Sequence, residues 1–272
     1  MSDIYTDHMT RVPKEGQRLN LQCDLMTECI GYVLHPSIAL PAAARIADIG
    51  TGTARFLFQL QPTLSPEALL EGFDISTALF PPEDVLPANI TLGQHDMKQP
   101  FPEHMHGQYD LVHARMLVAA MEPDDWDLVV RNFVQLLKPG GYLQWEECNF
   151  PNASWINPRA NVHEKEDVGE MMIRQMTTSL GSRLEHGWKM ESAGLTSITS
   201  DVASTDKNLR TREGFTEIIL TLVFLWARLT KERGSAAFEQ DIDDLDKIVQ
   251  KETESGCHFK YNIHVACGQK PQ

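Results

Sequence analysis

Glycine and aspartate residues beside an apolar run suit the binding of a small charged ligand. The run that begins at residue 45 leads into the loop Asp48-Ile-Gly-Thr-Gly-Thr53. A glycine-rich turn between a strand and a helix lets the backbone approach a ligand closely, and the first N–H groups of the helix are free to bind it. A carboxylate before the first glycine would repel a pyrophosphate, but it suits an ammonium group. The alternative is an ordinary tight turn with a solvated Asp48.

The residue at position 55 argues against a dinucleotide ligand. A dinucleotide fingerprint has a third glycine three residues after the second, and here that position is Arg55. The loop is therefore a poor fit to NAD. Because two glycines alone are a weak signal, the ligand has to be identified from residues further along the chain.

Two later apolar runs also end in carboxylates. Asp74 lies 24 residues after Gly50, close to the spacing expected of an acid that accepts hydrogen bonds from both hydroxyls of a ribose. Asp96 could accept the amino group of an adenine, and Met97 could lie against its ring. The alternatives are that Asp74 caps a following short helix and that Asp96 is a loop carboxylate. A fourth run ends at His113 and Arg115, which either line the ligand or hold loops together.

The elements that must position these residues alternate along the chain. Short apolar runs between turn signals predict strands at residues 45–50, 69–75, 90–93, 109–114, 142–146, 195–203 and 259–266. Helical patterns predict helices at residues 19–33, 54–60, 124–137, 162–180, 183–192, 215–229 and 238–249. Alternating strands and helices imply a mainly parallel sheet with right-handed crossovers. The prediction is therefore an α/β fold with a doubly wound, mainly parallel seven-stranded sheet, whose ligand lies beyond the carboxyl ends of the strands.

The organisation predicted from these patterns is one domain with additions. Residues 1–40 form an N-terminal helical segment, and residues 41–272 form the ligand-binding domain. Two stretches, at about 150–190 and 211–250, are predicted to be helical insertions that cover the site, since no linker separates them from the rest.

Composition excludes several other functions. The net charge is −14, and no stripe of Lys and Arg is visible, so a nucleic-acid partner is not expected. The N-terminus is polar and acidic, and the most apolar stretch is too short to span a bilayer. Five cysteines lack zinc-site spacing. We therefore expect a cytoplasmic protein with a small-molecule substrate, no membrane partner and no metal; assembly as a homodimer stays open.

The ordered series of motifs resembles class I S-adenosylmethionine (SAM)-dependent methyltransferases, and more narrowly the fungal LaeA/UMTA-like group. The resemblance rests on residues 46–53, 72–76, 95–97, 109–115 and 137–147, with further similarity at 18–22 and 87–91. It covers about residues 15–150, or half the chain. Thr53 departs from the glycine usual at that position. The resemblance implies SAM as cofactor, and the residues expected to bind it are Asp48, Gly50, Thr51, Gly52, Thr53, Asp74, Ile75, Asp96, Met97, His113 and Arg115.

The family resemblance leaves the chemistry of the acceptor open. Methyl transfer from a sulfonium mainly requires alignment, and a base is needed only for an acceptor proton of high pKa. Glu147 and His163 are the preferred catalytic pair among four candidates, which also include Glu146 and His186. A substrate lining is predicted from Met116, Trp145, Trp155 and Phe224. The alternatives are surface charge for the first group and core packing for the second.

The function predicted is methyl transfer to an O or N atom of a small molecule in fungal specialised metabolism. Two alternatives come from other classes. One is a SAM-binding regulatory protein of the LaeA type, and the other is an enzyme that retains SAM but catalyses another reaction, such as a cyclisation.

Overall fold

A computed structural model describes residues 14–159, 168–172, 189–232 and 241–272. The described part holds a seven-stranded sheet in the order β3-β2-β1-β4-β5-β7-β6. Neighbouring strands from β3 to β5 are parallel, whereas β7 runs antiparallel to both β5 and β6. The predicted doubly wound, mainly parallel sheet is therefore confirmed. The strands are β1 (Arg45–Ile49), β2 (Leu69–Asp74), β3 (Ile90–Gln94), β4 (Tyr109–Arg115), β5 (Leu137–Ile156), β6 (Thr196–Ser204) and β7 (His258–Gln269).

Five longer helices accompany the strands in the described residues. They are α1 (Glu15–Ile30), α2 (Arg55–Leu60), α3 (Asp125–Leu136), α4 (Leu209–Glu232) and α5 (Ile242–Glu254). Each matches a helix predicted from the sequence, with shifted bounds. Of the helix predicted at 162–180, only residues 168–172 are described, and these are helical. Most of the helix predicted at 183–192 lies outside the described residues.

The first helix begins and ends earlier than its apolar pattern indicated. It was predicted to span residues 19–33, but Gly31 ends it. Gly31 has a φ of 94°, and its N–H donates to the Thr27 carbonyl oxygen at 2.8 Å. This is the left-handed helix end that glycine permits and other residues resist. The predicted end of this helix at residue 33 was therefore wrong.

The fifth strand is much longer than the predicted run at 142–146. It extends to Ile156 because β7 pairs with it along most of its length, as far as the pairing of Ile156 with His258. The register shifts between Asn149 and Ser154. Since that irregularity interrupts the apolar alternation, local pattern could not reveal the second half of the strand.

The two faces of the sheet are covered by different helices. Trp145 of β5 packs against Trp126 and Phe133 of α3, with ring centroids 5.4 and 5.3 Å apart. The next residue, Glu146, points to the opposite face, as strand alternation requires, and lies beneath α1. On that face α4 packs closely on α1. The two helices are so close that a Cβ at Gly214 would come within 2.5 Å of the Leu25 side chain.

No helix among the described residues is long and apolar enough to cross a membrane.

Candidate active site

The glycine loop (residues 48–54) has a backbone that only its glycines accommodate easily. Gly50 and Gly52 have φ values of 72° and 54°. A Cβ at Gly50 would lie 2.4 Å from the Leu117 side chain, so the loop after β4 packs directly on the glycine. The Gly52 N–H donates to the Asp74 carboxylate at 2.8 Å. The ends of β1 and β2 are therefore joined by a hydrogen bond between backbone and side chain.

Asp48 lies beneath the glycine loop and is 3% exposed. Its carboxylate accepts a hydrogen bond from the Thr51 hydroxyl at 2.7 Å and pairs with His113 Nδ1 at 2.7 Å. The alternative of a solvated Asp48 is therefore wrong. In this position the carboxylate holds the glycine loop through Thr51 and connects it to β4 through His113.

His113 belongs to a buried group of alternating charges, which we call the charge cluster: Asp48, His113, Glu146 and Arg115. The imidazole is fully buried and stacks on the Phe56 ring with centroids 3.4 Å apart. Its Nε2 lies 3.4 Å from Glu146 Oε1. Burial lowers the pKa of His113, but the hydrogen bonds and charges of the two carboxylates raise it more. The result is a pKa above the ordinary value, which favours the cationic ring.

Glu146 and Arg115 form the other half of the charge cluster. Arg115 Nε lies 2.6 Å from Glu146 Oε2, and the two side chains are 8% and 0% exposed. Burial raises the pKa of Glu146, but Arg115 and His113 outweigh it and lower the pKa to about 2. Gln144 donates a further hydrogen bond to this carboxylate at 2.7 Å. The charge cluster thus sets Arg115 and the His113 ring against the carboxylates of Asp48 and Glu146.

The charge cluster also connects the sheet to α1. The Arg115 guanidinium donates to the Cys23 carbonyl oxygen at 3.2 Å and to the Thr27 hydroxyl at 3.3 Å. His113 and Arg115 were predicted either to line the cofactor or to hold loops together, and their burial and contacts suit the second role. Sequence patterns gave no sign of it, because the partners are distant in the chain.

Two further contacts attach α1 to the glycine loop and to the helix that follows it. Arg55 forms a two-pronged ion pair with Asp24, at 2.7 and 2.9 Å. The Thr53 hydroxyl donates to the Asn20 amide oxygen at 2.7 Å. The residue that argued against a dinucleotide thus binds the N-terminal helix, and α1 is placed as one wall of the site.

The ends of β2 and β3 lie next to the glycine loop. Asp74 accepts N–H groups from Gly52 and Ser76, and burial raises the pKa of Asp74 above its ordinary value. The backbone N–H of His95 donates to the Asp74 carbonyl oxygen at 2.9 Å, which brings Asp96 beside this end. Ile75 is 43% exposed and Met97 only 9%. The predicted carboxylates therefore share one edge of the sheet.

Protein side chains pack closely against the glycines at this edge. At Gly72, as at Gly50, a Cβ would meet neighbouring side chains, here Leu92 at 2.6 Å and Thr51 at 2.8 Å. The polar groups at this edge are carboxylates: Asp48 below the glycine loop, Asp74 beside it and Asp96 just after β3. The Asp74 and Asp96 carboxylates fit the ribose and the adenine of SAM. Among the described residues no three His, Cys, Asp or Glu side chains are grouped to hold a metal ion.

Glu147, one of the predicted catalytic pair, is buried and fully engaged by the protein. Its Oε2 accepts the N–H groups of Leu117 and Val118 at 2.9 and 3.1 Å, and its Oε1 accepts the Cys148 N–H at 3.1 Å. Burial raises the pKa of Glu147 to about 7, although these bonds act in the opposite direction. The geometry suits an anchor for the loop after β4. His163, the other member of the pair, lies outside the described residues.

The four predicted lining residues are not brought together. Trp145 is enclosed in the core on the α3 face, which fits the alternative of core packing. Met116 lies on the α1 face, with its sulfur 3.0 Å from Cys148 Sγ. Trp155 packs against Gly169, where a Cβ would come within 2.2 Å of the indole, and Phe224 is buried on α4. Only Met116 immediately follows a strand that borders the glycine loop.

Comparison with known proteins supports the resemblance to methyltransferases that the sequence motifs indicated. Residues 47–143 match the family model described as a methyltransferase domain. The chain is 35% identical over 173 residues to "Methyltransferase grgD" of Penicillium sp, covering 61% of this chain and 59% of that protein. It is 29% identical over 255 residues to "N-methyltransferase tcpN" of Claviceps purpurea, covering 89% and 90%.

Two more distant matches widen the comparison. The chain is 25% identical over 248 residues to "Secondary metabolism regulator LAE1" of Hypocrea atroviridis, covering 84% of this chain and 68% of that protein. The solved phosphoethanolamine N-methyltransferase 2 of Haemonchus contortus, in complex with SAM, has a TM-score of 0.50 at 16% identity, covering 99% and 60%; this likeness concerns the fold. These comparisons support a class I SAM-dependent methyltransferase domain at residues 47–143, in a chain that resembles the LaeA-like group.

Proposed function

We propose that this enzyme methylates a nitrogen atom of a small molecule in fungal secondary metabolism. The observation that carries the proposal is the shared edge of β1 and β2, where the Gly52 N–H binds Asp74 and the charge cluster supports the loop from below. The choice of nitrogen is supported by the relative named as an N-methyltransferase, which aligns along 90% of its length. Oxygen was equally open from the sequence.

The cofactor contributes an electrophilic methyl group on a sulfonium centre. The residues that would hold it are the glycine-loop backbone at Gly50 and Gly52, Asp74 at the ribose, and Asp96 with Met97 at the adenine. The charge cluster fixes the loop, so that little reorganisation is needed when a ligand binds. Because an amine attacks through its lone pair and releases its proton to water afterwards, alignment contributes more than a base.

A regulatory role is the second candidate, since the alignment to a protein named as a secondary metabolism regulator covers 84% of this chain. The enzymatic and the regulatory hypotheses differ in whether S-adenosylhomocysteine is released. An enzyme releases S-adenosylhomocysteine in proportion to methylated acceptor, whereas a regulator that only binds SAM does not.

Cofactor binding is tested by calorimetric titration of SAM into the wild type and Asp74→Ala. Two hydrogen bonds to a charged acceptor are worth about 1.5–3 kcal/mol each, so we expect the variant to bind SAM at least about 100-fold more weakly. Asp84→Ala, which removes an exposed carboxylate from the loop between β2 and β3, is the matched control and should bind SAM normally. Equal affinity of all three proteins would remove Asp74 from the site.

The remaining expectations about partners and compartment belong to the same proposal. The acidic composition supports a cytoplasmic enzyme that acts on a small molecule and does not bind nucleic acid. Size-exclusion chromatography with light scattering decides between a monomer and a homodimer.

A further inference from the structure

The outer edge of β6 is exposed along most of its length. In the described part of the chain this strand (Thr196–Ser204) pairs only with β7, so it forms one border of the sheet. Seven consecutive residues, 196–202, are exposed. Two of them, Ile198 and Val202, are apolar and are 42% and 59% exposed. A long edge strand that displays apolar side chains pairs readily with a further strand unless something protects it.

Few of the usual protections of a sheet edge are present in β6. Such protections are prolines, charged side chains and bulges that twist the edge away. The strand contains no proline and no basic residue, and its one charged side chain is Asp201. The Asp201 carboxylate accepts a hydrogen bond from the Tyr32 hydroxyl at 2.6 Å and lies 3.4 Å from His35 Nε2. The register on β7 shifts near Ser197, whose φ is 51°, but it is regular over residues 199–204.

The backbone groups that point away from β7 belong to alternate residues of β6. Directly after the strand, the Thr205 N–H donates to the Tyr261 carbonyl oxygen at 3.0 Å. The register is regular from there back to Thr199, and bonding in an antiparallel pair alternates along each strand. The N–H and C=O groups of Ser200 and Val202 therefore point outward, where a further strand can bind them.

The sequence of β6 is complementary to itself in one antiparallel register. When Ser200 lies opposite Ser200 of a second copy, Ile198 lies opposite Val202 on both sides of the centre. Opposed side chains share a face of the sheet, so the two Ile–Val pairs form one apolar patch. In this register Asp201 lies opposite Thr199 of the second copy. A register centred on Asp201 would oppose two carboxylates, which is unfavourable, and one centred on Val202 would leave Ile198 without an apolar partner.

The charge of the chain is compatible with a second copy at this edge. Each copy has a net charge of −14, so two copies repel each other over most of their surfaces. β6 offers hydroxyl groups, aliphatic side chains and outward backbone groups, with one carboxylate that already contacts Tyr32 and His35. A two-fold axis brings the same patch of both copies together, which a self-complementary strand allows.

We propose that β6 pairs antiparallel with β6 of a second copy about a two-fold axis at Ser200, which joins the two sheets into one. In the strand order, β6 lies at the border opposite β3, whereas the glycine loop follows β1 near the middle. The pairing therefore leaves the candidate active site of each copy free. It goes beyond the proposed function and does not depend on which acceptor is methylated.

A disulfide at the two-fold axis tests the register directly. In a hydrogen-bonded antiparallel pair the two Cα atoms lie about 5.5 Å apart, which suits a disulfide. We expect Ser200→Cys to give a covalent dimer on mild oxidation, visible on a non-reducing gel and reversed by a thiol. Ser204→Cys is the matched control, because in this register it lies opposite Thr196 and far from its own copy. The native cysteines in the described residues are all buried, so they should not react.

Light scattering after size-exclusion chromatography tests the pairing without a cross-link. The wild type should dimerise increasingly with concentration, and Val202→Lys should be monomeric because it places charges in the apolar patch. Val85→Lys is the control, since Val85 is 56% exposed but lies between β2 and β3, and it should dimerise like the wild type. Both variants should keep the melting temperature and the SAM affinity of the wild type.

Three results would overturn the proposal. A wild type that is monomeric at every concentration would leave the β6 edge to another partner or to other residues of this chain. A folded Val202→Lys variant that dimerises as readily as the wild type would place any dimer contact elsewhere. Equal cross-linking of Ser200→Cys and Ser204→Cys would exclude a two-fold axis at Ser200.

Discussion

Replacing Glu146 by glutamine removes one of two negative charges from the charge cluster while preserving the side-chain volume. In the wild type this carboxylate is fully buried, 2.6 Å from Arg115 and 3.4 Å from His113. The variant leaves the buried guanidinium without its closest counter-charge, and breaking such a pair costs about 3–5 kcal/mol. The pKa of Glu146 gives a similar value: the difference between 4.5 and about 2, at about 1.4 kcal/mol per pKa unit, corresponds to about 3 kcal/mol.

The assay is urea denaturation at pH 7, with Glu71→Gln as the matched control. Glu71 also lies 2.6 Å from an arginine, Arg45, but that pair is partly exposed, and exposed pairs contribute about 0–1 kcal/mol. We expect Glu146→Gln to lose about 3 kcal/mol of unfolding free energy and Glu71→Gln less than about 1. Equal losses of unfolding free energy in the two variants would refute the reasoning that burial makes the charge cluster contribute more to stability than an exposed ion pair does.

The pH dependence supplies a second check on the same variant. A carboxyl group whose pKa is lowered on folding contributes stability above its unfolded pKa, and this contribution is lost as the pH falls through the folded value. For Glu146 the window runs from about 4.5 down to about 2. The difference in stability between wild type and Glu146→Gln should therefore narrow as the pH falls through this range. A constant difference would mean that the charge of Glu146 is not the cause.

Two other predictions concern the loops that border the site. Burial raises the pKa of Glu147, so ionisation of this carboxyl opposes folding. Glu147→Gln should therefore gain up to about 3 kcal/mol of stability relative to wild type as the pH rises from about 4.5 to about 7. Denaturation at pH 5 and pH 8 measures the gain, and a difference in stability that does not change with pH would contradict the prediction. Gly50→Ala should destabilise the protein more than Gly107→Ala and should weaken SAM binding. Both glycines have positive φ, but only at Gly50 would the added Cβ meet a side chain, that of Leu117 at 2.4 Å. Equal losses of unfolding free energy in the two variants would contradict the prediction.

The residues that follow each strand were predictable because their signals are local. Glycines at positions 50 and 52 mark the turn, and Asp74 ends an apolar run, so each is recognisable within a few residues of sequence. The shared edge then follows from the parallel order of the strands. Residue type and spacing along the chain were therefore enough to predict these parts of the fold and of the site.

The support beneath the site was not predictable in the same way. His113 pairs with Asp48 because the register of β4 on β1 sets those two residues side by side, and Glu146 joins them through the register of β5. Nothing near Arg115 in the sequence indicates its contact with Cys23 and Thr27 of α1. Such contacts depend on strand register and on which face of the sheet a helix covers. Neither can be recognised from the local patterns of a single sequence.

The same reason explains why Glu147 was expected to be catalytic. Its position after the fifth predicted strand placed it near the acceptor, but the loop at Leu117 and Val118 turns back and donates two N–H groups to its carboxylate.

Transfer of a labelled methyl group tests the central claim most directly. The wild-type protein is incubated with SAM carrying a labelled methyl group and with a panel of small amines, and both the labelled product and S-adenosylhomocysteine are measured. The account predicts equal amounts of the two, appearing only when an acceptor is present, and a strong reduction in Asp74→Ala that higher SAM concentrations relieve. Failure of the wild type to bind SAM at millimolar concentration, or binding without transfer to any acceptor, would contradict it.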